Sequence, residues 1–548
     1  GVSRTAGALG GGWRMATRDR TDDRGKDARA GGGFLQATGL RAASAAAGPL
    51  REACGGSSSP STGTGTGNYV LPKAKAGAKV QLLQWNSFVK AADDEFKRQA
   101  AQFSSENGCT VTIQTVSGDD LIAKTPVAVE AGSGPDIIQM EYGWPHLYET
   151  SCVDVSADVA YLKGKLGAIQ VVNDSFCKVN GKYRAIPYTV VPNAWTYRSD
   201  VFQQAGISKF PTTWDELASA GKTLNDKKLG QIAVSLGHAY GDAITMWYPV
   251  LWDFGGREAT PDGKTVTINS KETLAAVTWA INTWKANSIA QNTLSWLDPD
   301  NNQAYHSGVI SATLNGASIY LKEKLINKKY DQVTDNAGMP SGPKGLNTLN
   351  LIFNHAVMTW SQEQETARAF LLWAMEQQQY SKWMGVAAGY DAGPYAAFTN
   401  DPVWNTDTKL KPFHDVVPNG KWPGWPVTPG KATANSQVQF TIVDMFAKAV
   451  TSGDAKAAIT DAEQKLKRIY GKPAKGGEQA QFVSSLTLPK VAGAPKRNRL
   501  QNRLLQSEWK LGYASPARRT LMRHVFHAWP VSRARWLETR NAETGQHQ

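Results

Sequence analysis

The sequence predicts an α/β fold in which mixed sheets are flanked by helices. From Lys79 onward, segments with the residue pattern of strands alternate with segments of helical spacing, and this order is typical of sheets with right-handed crossovers. A Gly/Ser/Pro turn leads into the short apolar run Asp136–Met140, which indicates a fully buried strand. The chain has 548 residues, enough for two or more domains and a large core.

The first part of the chain predicts a βαβαβ unit. Strands are expected over Val80–Trp85, Thr110–Val116 and Asp136–Met140, because each run is rich in apolar and β-branched residues. Helices are expected over Phe88–Phe103 and Leu121–Ala131, where apolar residues recur at helical spacing. This order implies a parallel sheet.

A second set of elements begins near Asn193–Tyr197. Two residues indicate the start of its helix: Thr213 can cap the first turn, and Glu216 completes a capping box. Later elements are expected at Val309–Leu314 (strand), Ala356–Trp360 (strand) and Glu363–Glu376 (helix).

The net charge of +13 lies at the two ends of the chain. Residues 1–53 carry +4 and residues 481–548 carry +9, so residues 54–480 are neutral. A neutral middle argues against nucleic-acid binding and gives the expectation of an uncharged ligand. The basic segment 472–548 is predicted to be a disordered tail, with attraction to anionic lipid or nucleic acid as the alternative.

The N-terminal segment is similar to a twin-arginine lipoprotein leader. Residues 1–53 contain an Ala-rich apolar stretch that ends at Cys54, and residues 54–78 begin with a Ser/Gly linker. Gly31-Gly32 stand where the arginine pair is expected. The resemblance implies export to the periplasm or cell surface, with Cys54 as the candidate lipidation site.

The other cysteines predict one disulfide and no metal site. Cys152 and Cys177 lie on either side of one helical connection, and we expect them to pair in an exported protein. Cys109 lies at the start of a strand and is expected to be a small buried residue. The chain contains no CxxC pair, which argues against zinc.

Five sequence blocks together resemble one family. They are Gly134–Ile138, Asn180–Tyr188 with Tyr197–Phe202, Thr213–Leu217, Leu314–Gly316 and Gly389–Pro394. In this order and spacing, residues 79–471 resemble an extracellular solute-binding protein of the maltose-binding type, which serves an ABC importer.

The resemblance implies a two-lobe periplasmic-binding-protein fold of type II, with the ligand in the cleft between the lobes. Lobe 1 would comprise residues 79–188 and 354–412, and lobe 2 residues 189–353 and 413–471. The expected partners are a small-molecule sugar and the membrane permease subunits. The resemblance implies no cofactor and no catalysis, and we expect a monomer that meets the membrane only through a lipid anchor.

Candidate ligand residues from lobe 1 follow predicted strands. Trp85 and Asn86 end the first strand, where ligands bind in open α/β sheets. Glu141, Tyr142 and Trp144 follow the buried strand Asp136–Met140, and an aromatic face beside a hydrogen-bonding acid suits a sugar ring. The alternatives are a core role for Trp85, a solvated acid at Glu141 and a half-buried tryptophan in a loop.

The remaining candidates come from the resemblance to the family. They are Tyr188 and Asn193 at the first crossing between lobes, Trp247 and Trp252 in an aromatic helix, Asn315 after a strand, Tyr390 and Asp391 in a glycine-flanked loop, and Trp425 where the chain re-enters lobe 2. For Trp247 and Trp252 the alternative is a place in the core. Ala317-Ser318 stand where the family commonly has an aromatic residue, and Trp425 is the candidate replacement.

Two other function classes remain open. A carbohydrate-active enzyme also needs acids beside aromatic residues, although the chain has no nucleophile elbow, P-loop or HExxH motif. The lone histidines, such as His238 and His355, are more typical of surface or satisfied groups than of catalytic bases. A membrane-tethered interaction protein is the third class, suggested by the basic tail.

Overall fold

The computed structural model describes residues 69–471, in which twelve β-strands occur. The leader-like segment, Cys54, the linker up to residue 68 and the tail from residue 472 lie outside the described residues. The strands are β1 (Lys79–Trp85), β2 (Thr110–Val116), β3 (Ile137–Glu141), β4 (Lys178–Val179), β5 (Lys182–Tyr183), β6 (Ile186–Val191), β7 (Ala194–Arg198), β8 (Ala312–Asn315), β9 (Thr334–Ala337), β10 (Thr348–Leu349), β11 (Leu351–Val357) and β12 (Gly420–Lys421).

The same residues contain seventeen α-helices, together with short 3₁₀ turns and one π-helical turn, Glu323–Asn327. The α-helices are α1 (Lys90–Asn107), α2 (Gly118–Ala131), α3 (Trp144–Leu147), α4 (Ser156–Leu166), α5 (Val171–Cys177), α6 (Ser199–Gln204), α7 (Trp214–Asp226), α8 (Asp242–Asp253), α9 (Lys271–Lys285), α10 (Asp298–Ser307), α11 (Ser318–Lys322), α12 (Gln364–Ala374), α13 (Gln377–Ala387), α14 (Lys411–Val416), α15 (Lys431–Val438), α16 (Thr441–Ser452) and α17 (Ala455–Tyr470). None of these helices is long and apolar enough to cross a bilayer.

The larger sheet has five strands in the order β2-β1-β3-β11-β6. β1 is parallel to β2 and to β3, which confirms the predicted βαβαβ unit. β11 runs antiparallel to both of its neighbours, so the sheet is mixed. All five residues of β3 are buried, because helices cover both faces of a sheet built by crossovers.

The smaller sheet has three strands in the order β8-β7-β9, with β7 antiparallel to both neighbours. Only Pro192 and Asn193 separate β6 of the larger sheet from β7 of the smaller one. After β9 the chain returns from the smaller sheet to β11 of the larger sheet. In this connecting segment, β10 pairs in parallel with β12. The helices α16 and α17 then pack on α8 and α9, beside the smaller sheet.

The predicted helix start at Thr213 is confirmed by α7. The Thr213 hydroxyl accepts a hydrogen bond from the Glu216 backbone N–H at 3.2 Å, and the Glu216 carboxylate accepts one from the Thr213 backbone N–H at 3.2 Å. These reciprocal bonds satisfy two N–H groups that a helix end otherwise leaves unpaired.

Two predicted strands are shifted in the structure. The strand expected at Ala356–Trp360 is β11, which starts earlier, at Leu351. The sequence did not indicate this earlier start, because Asn354 and His355 are polar. Both residues are nevertheless buried. The His355 ring stacks on the Phe96 ring with 6.0 Å between centroids. The strand expected at Val309–Leu314 is β8, Ala312–Asn315, because α10 extends to residue 307.

Candidate functional site

A cavity of ≈ 30 Å³ lies beside the carboxyl end of β1. Five of the candidate ligand residues line it: Trp85, Asn86, Tyr188, Tyr390 and Asp391. They come from β1, from β6 and from the loop after α13, so three distant parts of the chain meet here. The position agrees with the rule that ligands bind outside the carboxyl ends of strands.

Aromatic side chains form much of the cavity wall. The Trp85 ring lies 5.6 Å from the Phe353 ring and 6.2 Å from the Phe88 ring, both at steep angles. The Tyr188 ring lies 5.1 Å from the Trp383 ring. Such walls provide an apolar face for the C–H groups of a ring-shaped ligand.

Trp85 is held in place by polar and steric contacts. Its backbone N–H donates to the Gln139 side-chain oxygen at 3.1 Å. Its indole ring lies directly against Gly118, where a Cβ would come within 2.8 Å of the ring. Only glycine permits this approach of α2 to β1, so the orientation of Trp85 depends on residue 118.

Two acids give the cavity its polar side. The Asp391 carboxylate accepts a hydrogen bond from the Thr189 hydroxyl at 3.0 Å, and burial raises the Asp391 pKa to about 7. The Asp93 carboxylate accepts from the Ser87 backbone N–H at 3.0 Å, and burial raises the Asp93 pKa to about 6. Each acid has spare acceptor capacity for a ligand hydroxyl or amine.

Glu141, Tyr142 and Trp144 do not line this cavity; they lie fully buried next to it. Neither Glu141 carboxylate oxygen has a hydrogen-bond partner among the described residues, and the Tyr142 hydroxyl has none either. Burial and the nearby Asp298 carboxylate raise the Glu141 pKa well above its ordinary value. The Trp144 indole N–H donates to the Tyr240 hydroxyl at 2.5 Å.

Two further acids, Asp298 and Asp242, lie near Tyr142. The Asp298 carboxylate accepts hydrogen bonds from the backbone N–H groups of Gly241 and Asp242, at 3.0 and 2.8 Å, and burial raises its pKa to about 6. One carboxylate oxygen of Asp242 is buried without a partner among the described residues. The starts of α8 and α10 therefore bring these two acids close to each other.

Asn193 and Asn315 are hydrogen-bonded within the protein. The Asn193 side chain donates to the Val191 carbonyl at 3.1 Å, and the Asn315 side chain donates to the Asn302 side chain at 2.9 Å. Gly316, next to Asn315, lies against the Tyr390 ring, where a Cβ would meet a ring carbon at 2.8 Å. Both asparagines therefore use side-chain donors inside the protein, and neither lines the cavity.

The three remaining tryptophan candidates pack away from the cavity. The Trp247 indole N–H donates to the Ser235 carbonyl at 2.8 Å, and the ring packs on Phe446. The Trp252 ring lies 5.9 Å from the Trp425 ring, and the Arg257 guanidinium lies 4.3 Å from the centre of the Trp425 ring. These contacts favour a place in the core for Trp247 and Trp252. Trp425 does not line the cavity either.

A larger cavity, ≈ 700 Å³, lies between β9 and the segment from Thr408 to Lys421. None of the predicted ligand residues lines it. Two of its lysines are already engaged, since Lys411 pairs with Asp415 at 2.6 Å and Lys409 donates to the Thr334 carbonyl at 2.7 Å. Acids and aromatic side chains occur together at the smaller cavity, which is therefore the candidate site. Within residues 69–471, no group of three or more metal-ligating side chains converges.

Comparison with known families identifies the family to which this chain belongs. The chain matches the family described as bacterial extracellular solute-binding protein over residues 87–381, more than half of its 548 residues. The chain belongs to this family. The match includes β3 and most of the residues that line the smaller cavity.

Relatives and solved structures agree with the family. A "Probable ABC transporter-binding protein" of Deinococcus radiodurans is 23% identical over 396 residues, covering 69% of this chain and 91% of that protein. Maltose-bound MalE3 of T. maritima superposes with a TM-score of 0.62 at 19% identity, over 72% of this chain and 100% of that chain. A solute-binding protein of Thermotoga lettingae bound with α-D-tagatose gives a TM-score of 0.63 at 18% identity, over 72% and 100%. The predicted two-lobe fold is confirmed.

The disulfide predicted for this solute-binding protein is absent from the described residues, where Cys152 and Cys177 are both buried free thiols. The Cys177 thiol donates a hydrogen bond to the Asn354 side-chain oxygen at 3.0 Å, so its sulfur points into the sheet at β11. Cys152 forms a backbone bridge with Met358, just beyond β11. Each cysteine thus has its own contact beside this strand.

Alkylation without reductant is expected to label both cysteines once the protein is unfolded in guanidinium. In the native state both should resist labelling, because burial raises the Cys152 pKa to about 12 and also raises the Cys177 pKa. The half-buried Cys109 is the internal control for reagent access. Peptide mass mapping reads out each site, and a peptide that links Cys152 to Cys177 would contradict the structure.

Sequence reasoning missed several residues at the site of this solute-binding protein. Gln84, Gln139 and Asp93 line the cavity, Asp298 lies near Glu141, and Asp242 adjoins Asp298. A signal existed for Gln139, a polar residue within the apolar run of β3. Gln84 had no such signal, because β1 also contains Lys79 and Gln81. No local signal marked Asp242 and Asp298, which reach the site only through packing of α8 and α10.

Proposed function

We propose that this protein captures a sugar between its two lobes and delivers it to the permease of an ABC importer. The observation that supports the proposal is the lining of the smaller cavity, where the aromatic side chains of Trp85 and Tyr188 occur together with the acids Asp93 and Asp391 beside the larger sheet. At ≈ 30 Å³ this cavity has room for about one water, so the proposal requires the lobes to separate to admit a sugar. A sugar ring has an apolar C–H face and a rim of hydroxyls, and this arrangement matches both. The maltose and tagatose in the similar structures support the same substrate class.

Contacts across the cleft supply the mechanism. The Trp144 indole of lobe 1 donates to the Tyr240 hydroxyl, which lies just before α8, and Gly316, after β8, packs on the Tyr390 ring. A sugar that contacts residues of both lobes binds the closed form more tightly than the open form, so it shifts the population toward closure. We propose that the permease recognises the closed form, and that sugar is released unaltered.

The lobe assignment and the cellular setting belong to the same proposal. Lobe 1 would comprise residues 79–188 and 354–412, and lobe 2 residues 189–353 and 413–471. Export to the periplasm or cell surface agrees with a family of extracellular proteins. We also propose a monomer, with lipidation at Cys54 as its link to the membrane.

Calorimetry against mono- and oligosaccharides, polyols and glycerophosphodiesters tests the function. We expect saturable binding of a saccharide with no product formed, as measured by chromatography of the recovered ligand. Turnover of the sugar would instead establish the carbohydrate-active enzyme. Absence of binding to every saccharide would reject the proposed function.

Trp85→Ala is expected to weaken saccharide binding by at least tenfold, because it removes the stacking face at the carboxyl end of β1. The matched control is Trp360→Ala. The Trp360 indole N–H donates to the Pro135 carbonyl at 3.0 Å, ahead of β3 and at the opposite end of the sheet. Calorimetric titration should show unchanged affinity for the control. Equal affinity of both variants would place the sugar elsewhere.

A further inference from the structure

The π-helical turn Glu323–Asn327 presents two neighbouring aliphatic side chains to solvent. Leu325 is 56% exposed and Ile326 is 73% exposed. No other helix or strand in residues 69–471 exposes two adjacent large apolar side chains. Keeping such side chains in water forfeits the free energy of burying them, so an exposed pair indicates a surface that contacts another molecule.

The fold holds this turn in one conformation. The Lys328 backbone N–H donates to the Glu323 carbonyl, five residues earlier, at 2.9 Å. The Glu323 carboxylate is fully buried and accepts hydrogen bonds from the Asn327 side chain and the Tyr330 backbone N–H, both at 3.0 Å. It also pairs with the His306 ring of α10 at 2.6 Å. These contacts fix the two aliphatic side chains outward, and π-helical turns are frequent at functional sites.

Lysines flank the two aliphatic side chains. Lys322, Lys328 and Lys329 are exposed, and none of them forms an ion pair within the described part of the chain. Lys324, the fourth lysine of this segment, is paired with a carboxylate. One acid, Asp331, follows the lysines in the sequence. The turn therefore carries an excess of positive charge beside its apolar tip.

This composition favours a lipid partner over a protein partner. Protein interfaces are enriched in tryptophan, tyrosine and arginine and depleted in lysine, and each partner buries about 800 Å². The turn instead combines two aliphatic side chains with lysines on a single short segment. Lysine is attracted to anionic headgroups, and aliphatic side chains enter the boundary between the headgroups and the acyl chains.

We propose that the π-helical turn is a contact surface for an anionic lipid bilayer. Leu325 and Ile326 enter the headgroup region, and the three unpaired lysines face the anionic headgroups. Each lysine near such a surface strengthens binding roughly fivefold, so the contact is reversible and orients the protein on the bilayer. The inference goes beyond the proposed sugar binding and does not depend on it. It also adds a second contact to the lipid anchor through which the protein is expected to meet the membrane.

Hydrogen–deuterium exchange of the full chain, read by mass spectrometry, tests the turn directly. The probes are vesicles of phosphatidylcholine and phosphatidylglycerol in equal parts and vesicles of phosphatidylcholine alone. We expect peptides that cover the turn to exchange at least threefold more slowly with the anionic vesicles and at an unchanged rate with the neutral ones. A local readout is needed, because the basic segment 472–548 can attract the same anionic vesicles.

Two double variants separate the apolar and the charged parts of the contact. The first combines Leu325→Ser with Ile326→Ser, and the second combines Lys328→Gln with Lys329→Gln. Each is expected to weaken sedimentation with the anionic vesicles at least tenfold, because it removes two aliphatic side chains or two positive charges. All four side chains are exposed, so the variants should melt at the temperature of the unchanged protein.

Matched controls lie elsewhere on the protein. Lys163→Gln combined with Lys165→Gln, on α4, removes the same net charge from two exposed lysines. Val171→Ser, at the start of α5, removes an aliphatic side chain that is 71% exposed. Both controls should sediment with the anionic vesicles within threefold of the unchanged protein.

Four results would overturn the inference. They are vesicle binding with unchanged exchange at the turn, equal protection by neutral vesicles, an equal loss of binding in the controls, and protection by polyglutamate but not by vesicles. The last result would assign the turn to an acidic protein partner. Saccharide affinity measured on the double variants should be unchanged, so failure of this inference leaves the sugar-binding function standing.

Discussion

Arg368→Ala is expected to lower the free energy of unfolding by about 3–5 kcal/mol. The guanidinium lies on α12 and donates two hydrogen bonds, at 2.6 and 2.8 Å, to the Asp158 carboxylate on α4, which is fully buried. Removing the arginine leaves that carboxylate buried without its cation. Urea denaturation followed by tryptophan fluorescence measures the loss.

The size of this effect follows from where the ion pair lies. Asp158 also accepts a hydrogen bond from the Tyr69 hydroxyl, so one carboxylate joins α4, α12 and the first described residue. All three parts belong to the larger-sheet half of the protein. Arg368→Ala therefore loosens a junction between segments that are distant in sequence, in addition to removing a charge.

Lys411→Ala is the matched control for the loss of a cation. The Lys411 ammonium pairs with the Asp415 carboxylate at 2.6 Å, but both side chains are exposed and lie four residues apart on one helix. Exposed pairs of this kind contribute about 0.3–0.5 kcal/mol. Losses of similar size in the two variants would show that Asp158 is hydrated in the folded protein.

The sequence predicted the elements whose signals are local. The strands β1, β2 and β3 and the cap at Thr213 follow from residue pattern and spacing within a few positions. The start of β11 was missed, because Asn354 and His355 are polar and their burial depends on packing against other elements. Asn354 accepts from the Cys177 thiol, which is 177 residues away in sequence.

The candidate site residues also fall into two groups: those that a local sequence signal identifies and those whose position depends on packing between distant elements. Trp85 and Asn86 line the cavity because the end of a strand is recognisable in the sequence, and its place at the sheet edge follows from topology. For the tryptophans of α8, Trp247 and Trp252, local spacing does not distinguish a core face from a cleft face. That distinction depends on Phe446 and Trp425, which come much later in the chain.

Asp391→Asn is expected to remove a large pH dependence of stability. Burial raises the Asp391 pKa from 3.8 to about 7 in the folded protein. The stabilisation from this group is fully present below about pH 4 and is lost as the pH rises toward 7, because the unfolded chain ionises first. At 1.36 kcal/mol per unit, the loss reaches up to roughly 4 kcal/mol above pH 7.

Urea denaturation of both proteins from pH 4 to pH 8 measures this change. The variant should gain stability relative to the unchanged protein as the pH rises, and the difference should level off above pH 7. The comparison at pH 4 is the internal control, since in the folded protein both side chains are neutral there. Burial raises the pKa of Asp93 to about 6, but Asp93 is present in both proteins. Its contribution to the pH dependence of stability therefore largely cancels in the difference.

The same substitution should weaken ligand binding, because Asp391 lines the cavity beside Trp85 and Tyr188. Burial of the ionised Asp391 carboxylate destabilises the unliganded protein at neutral pH, because the carboxylate loses its hydration. A hydrogen-bond donor of a bound ligand replaces that hydration, and such residues are expected at functional sites. Stability profiles that stay parallel from pH 4 to pH 8 would mean that Asp391 is ionised and hydrated throughout. In that case its carboxylate would face solvent, and the cavity would lose one of its two acids.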